Sequence, residues 1–445
     1  MAHQAGSHSK IPNCDAYFET IQSKKKLEYS LQQSLTSAFA HIPASSFPQV
    51  PGGKVVEISS DTTVVDAIGI LSEHNIMSAP VRKADAAHTI DWRGKYLGII
   101  DYSAIVLWVL ENAELAGFAL SAGSVAVAGV GAGALGALGV GAVALGAGPV
   151  AAAGLAVAAV SAAVAGGLAA ENDLNKDAPR VADDLGEDFY KVLVEKEPFK
   201  STKVGSVVTP YRWAPFVPVG VDSSMLTVLL LLSKYRLRNV PVIEAGKPYI
   251  RNLITQSAVV QGLMRCRGSE WFDCIASRRL PDLGLPFMSN DKVINVNSDE
   301  LILEAFKLMK ENQIGGLPVT EGPTRKIVGN VSMRDIRFLL LKPELFSNFS
   351  QLTVLEFLKA IGPTNPISGS KYMAPPITCS TDACLESVIE SLAIKMVHRI
   401  YVVDGNMSVI GVVTLRDVIS CFIYEPPDHF DNYLGFAIEE MLNSS

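Results

Sequence analysis

Near the C-terminus the chain reads MVHRIYVVDGNMSVIGVVTLRDVI, from Met396 to Ile419, and this stretch contains the pattern from which the fold is inferred. A second stretch, GGLPVTEGPTRKIVGNVSMRDI from Gly315 to Ile336, repeats its pattern. Each contains a short apolar run, a polar turn, a second apolar run with a Gly, and a hydroxyl residue followed three positions later by Asp. Short apolar runs bounded by turn residues are typical of strands. The pattern therefore predicts two strands joined by a turn and followed by a helix.

The same unit occurs four times, in the order strand, helix, strand, turn, strand, helix. Its helices carry apolar residues at i, i+3 and i+4, as at Leu301, Ala305 and Leu308, which predicts one buried stripe. The sequence therefore predicts an α/β fold of four β-α-β-β-α repeats. One unit of this size is too small to bury its sheet well, so we expect the repeats to pair. The repeats are predicted at residues 48–116, 206–266, 287–342 and 372–426.

The remaining segments are predicted to connect or flank these repeats. Residues 1–47 form an N-terminal tail that includes a short helix, and 427–445 form a C-terminal tail. Residues 171–205 and 343–371 are connectors, and 267–286 form the linker between the two pairs. Residues 117–170 form an insertion of different composition between repeats 1 and 2.

The composition excludes several classes of protein. The 445 residues are 49% hydrophobic, which is enough for a sizeable core, and the formal net charge is -7 with both signs interspersed. These totals argue against a general binder of nucleic acid, whose affinity comes from clustered Lys and Arg. Six scattered cysteines without a C-x-x-C pair predict no metal site and a reducing compartment. With no secretory h-region near the N-terminus, we expect a cytoplasmic or nuclear protein.

The insertion is almost a Gly/Ala polymer. From Ser121 to Ala170, 32 of the 50 positions are Gly or Ala, and no charged residue lies between Leu115 and Ala170. A hairpin of two membrane spans is one interpretation, because about 20 apolar residues cross a bilayer. The tract has few strongly inserting side chains and acidic flanks. We therefore favour an intracellular low-complexity insertion and keep membrane association as the alternative.

The hydroxyl-x-x-Asp ending has two interpretations. Ser332–Asp335 and Thr414–Asp417 fit a capping box, in which the hydroxyl and the carboxylate satisfy the first turn of a helix. The corresponding quartets of the first two repeats, Asp101–Ala104 and Thr255–Ala258, keep an N-cap residue but lose the carboxylate. Helix initiation therefore does not require the aspartate, which leaves a ligand contact as its second role.

Basic side chains at the strand before the turn also differ among the repeats. Repeat 2 has Arg236 and Arg238, and repeat 4 has His398 and Arg399. We call the junction between the third strand and the second helix of a repeat its corner. If the repeats pair, a carboxylate at a corner could accept hydrogen bonds from two ribose hydroxyls while basic groups bind phosphate oxygens. Gly315 of repeat 3 would let backbone approach such a ligand closely. The alternative for the basic residues is a solvated strand end.

These motifs resemble CBS (cystathionine beta-synthase type) repeats, which pair as Bateman modules and bind adenosyl ligands between them. The stretch MVHRIYVVDGNMSVIGVVTLRDVI, with GNVSMRDI and LLLLSKYRLRNVPVI, further resembles plant-type gamma regulatory subunits of the AMP-activated and sucrose-nonfermenting protein kinase family. The resemblance implies a site for AMP, ADP or ATP. It assigns the ribose to Asp335 and Asp417, with Ser332 and Thr414 beside them. The resemblance assigns the phosphates to the basic residues His398, Arg399 and Arg238.

The resemblance implies a non-catalytic regulatory subunit that associates with kinase alpha and beta subunits in energy signalling. The sequence contains no Walker loop, kinase catalytic loop or G-x-S-x-G motif that would argue for an enzyme instead. One departure matters: Ala104 stands where nucleotide-sensing relatives have Asp in the first repeat. Together with Ala258, it keeps open a second hypothesis, a ligand-independent CBS scaffold. The third is a membrane-associated regulator that uses the Gly/Ala tract.

Overall fold

A computed structural model describes residues 16–86, 89, 92–110, 200–208, 216–342, 345, 351–362, 373–427 and 429–430. The Gly/Ala insertion at 117–170 and most of both predicted connectors lie outside these residues. Within the described part of the chain, no helix has the length and apolar character needed to cross a bilayer.

The predicted four repeats are confirmed, and each contains a sheet of three strands. The first strand is short and parallel to the second, and the second is antiparallel to the third. A first helix connects the parallel strands, and a second follows the sheet. The strands are β1 Ile58–Ser59, β2 Ser78–Arg82, β3 Tyr96–Asp101, β4 Val219–Gly220, β5 Asn239–Ile243, β6 Ile250–Thr255, β7 Val296–Asn297, β8 Gly316–Glu321, β9 Lys326–Ser332, β10 Thr378–Ser380, β11 Arg399–Val403 and β12 Val409–Thr414.

The helices occupy the faces and ends of these sheets. Two precede the first repeat, inside the segment predicted as the N-terminal tail. The helices are α1 Ala16–Lys24, α2 Tyr29–His41, α3 Val64–Glu73, α4 Trp92–Lys95, α5 at 102–110, α6 Val204–Val208, α7 Met225–Ser233, α8 Gln256–Met264, α9 Glu270–Ala276, α10 Ile302–Glu311, α11 Ile336–Leu341, α12 Val354–Ile361, α13 Leu385–Ile394 and α14 Leu415–Cys421.

The four repeats share one register, which makes their corners comparable. The first residue of the second strand lies opposite the last residue of the third strand in every sheet. The matched pairs are Ser78 with Asp101, Asn239 with Thr255, Gly316 with Ser332, and Arg399 with Thr414. A difference among these pairs is therefore a difference in chemistry at one position of the fold.

Repeats pair in sequence through their sheets. Repeats 1 and 2 share a small apolar cluster formed by Val55, Tyr96 and Ile250. Repeats 3 and 4 share another, to which Ile327 and Tyr401 belong. These contacts define an N-terminal module (repeats 1 and 2) and a C-terminal module (repeats 3 and 4), as the resemblance to Bateman modules implies.

The large cores join the two modules rather than the repeats within each. Helices of repeats 2 and 4 form one core together with α1, α2 and α9, and helices of repeats 1 and 3 form the other with α6 and α12. Val259 in α8 and Val388 in α13, for example, are buried in the first core. The helical faces of one module are thus covered by those of the other.

Candidate ligand-binding site

The strand-to-helix corners surround one central cavity of about 1310 Å³, lined by residues of all four repeats. The shared register places each corner at the end of a third strand, and the pairing of modules turns these ends inward. Small-molecule sites are usually concave and formed where such units meet. The cavity is therefore the candidate site.

Cationic side chains dominate the wall of this cavity. Two carboxylates, Asp101 and Asp417, also line it. The lysines and arginines are Lys54, Arg236, Arg238, Arg265, Lys292, Arg334, Arg399 and Arg416. An excess of positive groups in a concave, low-dielectric space attracts anions, and arginine binds phosphate oxygens in paired hydrogen bonds. Such a wall favours an anionic ligand even though the net charge of the chain is negative.

Asp417 performs the capping function at the start of α14. Its Oδ2 accepts hydrogen bonds from the backbone N and the Oγ1 of Thr414, both at 2.8 Å. The other oxygen, Oδ1, accepts from the Tyr17 hydroxyl at 3.2 Å. Burial raises the pKa of this carboxyl, and the hydrogen bonds from Thr414 oppose that shift. The capping and ligand interpretations are compatible, because they use different oxygens of one carboxylate.

Asp335 makes the same local contacts in repeat 3. Its Oδ2 accepts from the backbone N and the Oγ of Ser332, both at 2.8 Å, and burial raises its pKa. The described residues offer its Oδ1 no further hydrogen bond. Asp335 and Ser332 do not line the central cavity, whereas their neighbours Met333 and Arg334 do. The structure thus places Asp335 behind the cavity wall and Asp417 on it.

His398 and Arg399 lie together at the corner of repeat 4 and line the cavity. Burial, reinforced by the positive charges of Arg399, Arg238 and Arg334, lowers the pKa of His398 to about 3. The imidazole is therefore neutral at physiological pH and can donate or accept a hydrogen bond without adding charge. The Arg399 guanidinium reaches repeat 3, where it donates to the Gly316 carbonyl.

Arg238 also lines the cavity, but a carboxylate of its own module already holds it. Its Nη1 donates to Asp101 Oδ2 at 2.7 Å and also contacts the hydroxyl of Ser103. Asp101 simultaneously caps α5, because its Oδ1 accepts from the backbone N of Ala104 at 3.0 Å. The predicted N-cap of repeat 1 is confirmed, and the acid there serves as a partner for arginine. The similar cap of repeat 2, Thr255 Oγ1 to Ala258 N, is 3.1 Å long.

Two arginines of the cavity wall, Arg334 and Arg416, are not predicted by the sequence analysis. Arg334 precedes Asp335 and donates to the Asn75 side chain, at the end of α3 in the opposite module. Arg416 precedes Asp417 and donates to the Ser233 carbonyl at 2.5 Å, at the end of α7. Both motifs read hydroxyl-x-Arg-Asp, so the two arginines could be noticed in the sequence. Their contacts could not be predicted, because the partners lie at the ends of distant helices.

The described residues contain no group of three His, Cys, Asp or Glu side chains suited to a metal ion.

Comparison with known proteins identifies repeats 3 and 4 and the family of the chain. The CBS domain family model matches residues 286–342 and 370–424. The chain is 62% identical over 438 residues to the SNF1-related protein kinase regulatory subunit gamma-1-like of Arabidopsis thaliana, covering 98% of this chain and 97% of that protein. It is 33% identical to the SNF1-related protein kinase regulatory subunit gamma-1 of the same plant, covering 97% and 94%.

Among solved structures, the chain is similar to protein MJ1225 of Methanocaldococcus jannaschii, with 14% identity and a TM-score of 0.49 over 84% of this chain and 100% of that one. The sequence relationship to the two Arabidopsis proteins extends over nearly the whole of each, including both modules and all four corners. The chain therefore belongs to the family of gamma regulatory subunits of SNF1-related protein kinases, as its repeated corners predicted.

Proposed function

We propose that this protein is the nucleotide-binding, non-catalytic gamma subunit of a heterotrimeric protein kinase. The observation that carries the proposal is the basic cavity, whose wall includes Asp417 of repeat 4 and several arginines. A polyanion that also carries a diol matches this combination of groups. An adenine nucleotide, as AMP, ADP or ATP, is such a ligand.

Each group has a defined part in this binding. Asp417 accepts from the ribose hydroxyls through Oδ1, since Oδ2 is used in the cap. Arg399 and Arg334 bind phosphate oxygens, and neutral His398 contributes a hydrogen bond. Arg238 joins them only where a phosphate competes with Asp101. Asp335 and Ser332 contribute if the wall formed by Met333 and Arg334 moves aside.

Membership of the family supports a proposal for the protein partners. Its members named above are kinase regulatory subunits, and we propose that this chain binds a catalytic alpha subunit and a beta subunit. No group of the cavity is assigned a role in phosphoryl transfer. Binding of nucleotide between the modules would alter their contacts, because Arg334 and Arg416 each connect a ligand corner to the opposite module.

The test is titration of AMP, ADP and ATP into the full-length chain by isothermal calorimetry. Asp417→Asn should weaken binding about tenfold or more, because a hydrogen bond to a charged group contributes about 1.5–3 kcal/mol. Glu356→Gln is a matched control: Glu356 completes a capping box with Thr353 at α12, on the surface and away from the cavity. Equal effects of the two variants, or no affinity in the parent chain, would leave the scaffold hypothesis in place.

The scaffold alternative has a specific observation in its favour. In the N-terminal module, the position of the aspartate is taken by Ala104 and Ala258, and Asp101 neutralises Arg238. If the C-terminal module also failed to bind nucleotide, the chain would assemble the kinase without sensing nucleotide. Kinase activity of the assembled trimer, measured with and without AMP, separates the two, since a scaffold gives the same activity in both conditions.

A further inference from the structure

The N-terminal helix α1 brings a residue from outside the repeats to the corner of repeat 4. Tyr17 lines the central cavity, and its hydroxyl donates to Asp417 Oδ1 at 3.2 Å. Because Thr414 supplies both hydrogen bonds to Oδ2, the carboxylate has protein partners on both oxygens. Asp417 is only 1% exposed, although it belongs to the cavity wall. The Tyr17 hydroxyl therefore takes an acceptor position on Oδ1 that a ribose hydroxyl would use.

The ring of Tyr17 is also held at this corner. The guanidinium of Arg416, the residue before Asp417, lies 5.4 Å from the ring centroid. A cation over an aromatic face is attracted by the electron-rich face of the ring. The two contacts hold the phenol beside the carboxylate by non-covalent interactions alone.

The helix that carries Tyr17 is anchored along its length. Phe18 and Ile21 are buried in the core that joins repeats 2 and 4. Lys24 Nζ donates to the Phe287 carbonyl at 2.6 Å, and Lys25 Nζ donates to the Ile423 carbonyl at 2.5 Å. The backbone of Lys24 passes so close to Gly284, where φ is +84°, that a Cβ there would collide with the Lys24 carbonyl. Swinging of the Tyr17 side chain is thus a smaller movement than release of the helix.

We infer that Tyr17 is a built-in competitor that occupies the ribose position of the fourth repeat until nucleotide displaces it. This inference rests on the proposed function of Asp417. It distinguishes the two aspartates, because the described residues place no hydroxyl on Oδ1 of Asp335. The fourth-repeat site is gated by the N-terminal helix, and its affinity is set by a residue that the repeats themselves do not contain.

The test is the affinity of full-length Tyr17→Phe for AMP, by calorimetry. The variant keeps the ring over Arg416 and removes only the hydroxyl, so binding should tighten about tenfold. Adding Asp417→Asn to Tyr17→Phe should abolish the gain, which assigns it to this corner. Tyr29→Phe is the matched control, since Tyr29 lies on α2, is 60% exposed and does not line the cavity. As a second readout, the ¹⁹F resonance of 3-fluorotyrosine placed at position 17 should shift when AMP is added.

The outcomes separate this inference from the proposed function. If the parent binds AMP through Asp417 and Tyr17→Phe binds equally or more weakly, the proposed function stands and competition is disproved. Weaker binding would make Tyr17 a positioning residue for Asp417. If only Tyr17→Phe binds, occupation of the ribose position by Tyr17 is supported, but nucleotide does not displace it and the scaffold hypothesis holds for the parent chain. If neither binds, the nucleotide site is absent and both proposals are wrong.

Discussion

The two modules have the same backbone geometry at their strand-to-helix corners but different side chains there. At matched register, the N-terminal module presents Ser78 and Asn239, whose side chains bond to each other at 2.9 Å, and its Arg238 is paired with Asp101. The C-terminal module has Gly316 and Arg399 at the same two positions, and Arg399 donates to the Gly316 carbonyl and hydrogen-bonds with Tyr401. Among the described residues, no carboxylate pairs with it. A carbonyl oxygen carries a partial charge, so Arg399 keeps most of its attraction for an anion. One internal carboxylate is thus enough to neutralise the arginine of a corner, as Asp101 neutralises Arg238.

The absence of a side chain at Gly316 gives the largest expected effect. A Cβ at this position would lie 2.5 Å from Arg399 Nη1 and 2.8 Å from the Val331 carbonyl oxygen. Gly316→Ala should therefore lower the free energy of unfolding by about 3 kcal/mol, as overpacking does, and displace Arg399. Chemical denaturation measures the loss. Gly405→Ala is the control, because its Cβ would meet nothing within 4 Å; equal stability of the two variants would contradict the assigned packing.

The neutral state of His398 gives the next effect. Because the pKa of His398 is lowered to about 3 in the folded protein, the unfolded chain binds a proton below pH 6.5 that the folded chain does not. Stability therefore falls as pH decreases from 6.5 towards 3, by up to about 1.4 kcal/mol per pH unit from this group. His398→Gln should reduce the loss between pH 6.5 and 5 by about 2 kcal/mol in urea titrations. The free energies of unfolding at pH 8 are the internal reference. If the pH profiles of the parent and of His398→Gln were parallel, folded His398 would be shown to accept a proton.

The ion pair of the N-terminal module gives the smallest effect. Asp101→Asn keeps an effective N-cap for α5 and removes the charge that holds Arg238, so the free energy of unfolding should fall by about 1 kcal/mol. The side chain of Asp101 is 4% exposed and that of Arg238 is 35% exposed, which limits the value of the pair. Thermal unfolding at two salt concentrations measures it. Glu386→Gln, which breaks the more exposed pair with Arg267, should cost less, and the reverse order would contradict this interpretation.

The repeats and their caps could be predicted from the sequence because their signals are local. Apolar periodicity and turn residues act over about ten positions, and the quartets ending at Ala104, Ala258, Asp335 and Asp417 could be compared directly. The comparison also predicted correctly that the cap does not need the aspartate. Strand and helix bounds follow from the same short-range rules.

The partners of these corners could not be predicted, because they come from distant parts of the chain. Nothing in the sequence around Tyr17 indicates that its hydroxyl bonds to a residue 400 positions away. The pairing of Arg238 with Asp101 spans 137 positions, and it depends on how two sheets meet. The pairing of modules through helices is a third such property, since an apolar stripe predicts burial without naming the surface that covers it.

The helical cores that cross between modules have a consequence for synthesis of the chain. The helix α3 packs on α11, which begins about 270 residues later. At roughly 5–20 residues per second, a ribosome needs roughly 15–50 s to make that distance. During this interval the first repeat has emerged while its opposite-module partner does not yet exist. The nascent N-terminal half therefore exposes an apolar surface that a molecular chaperone can bind, and it completes its core only when the third repeat leaves the ribosome.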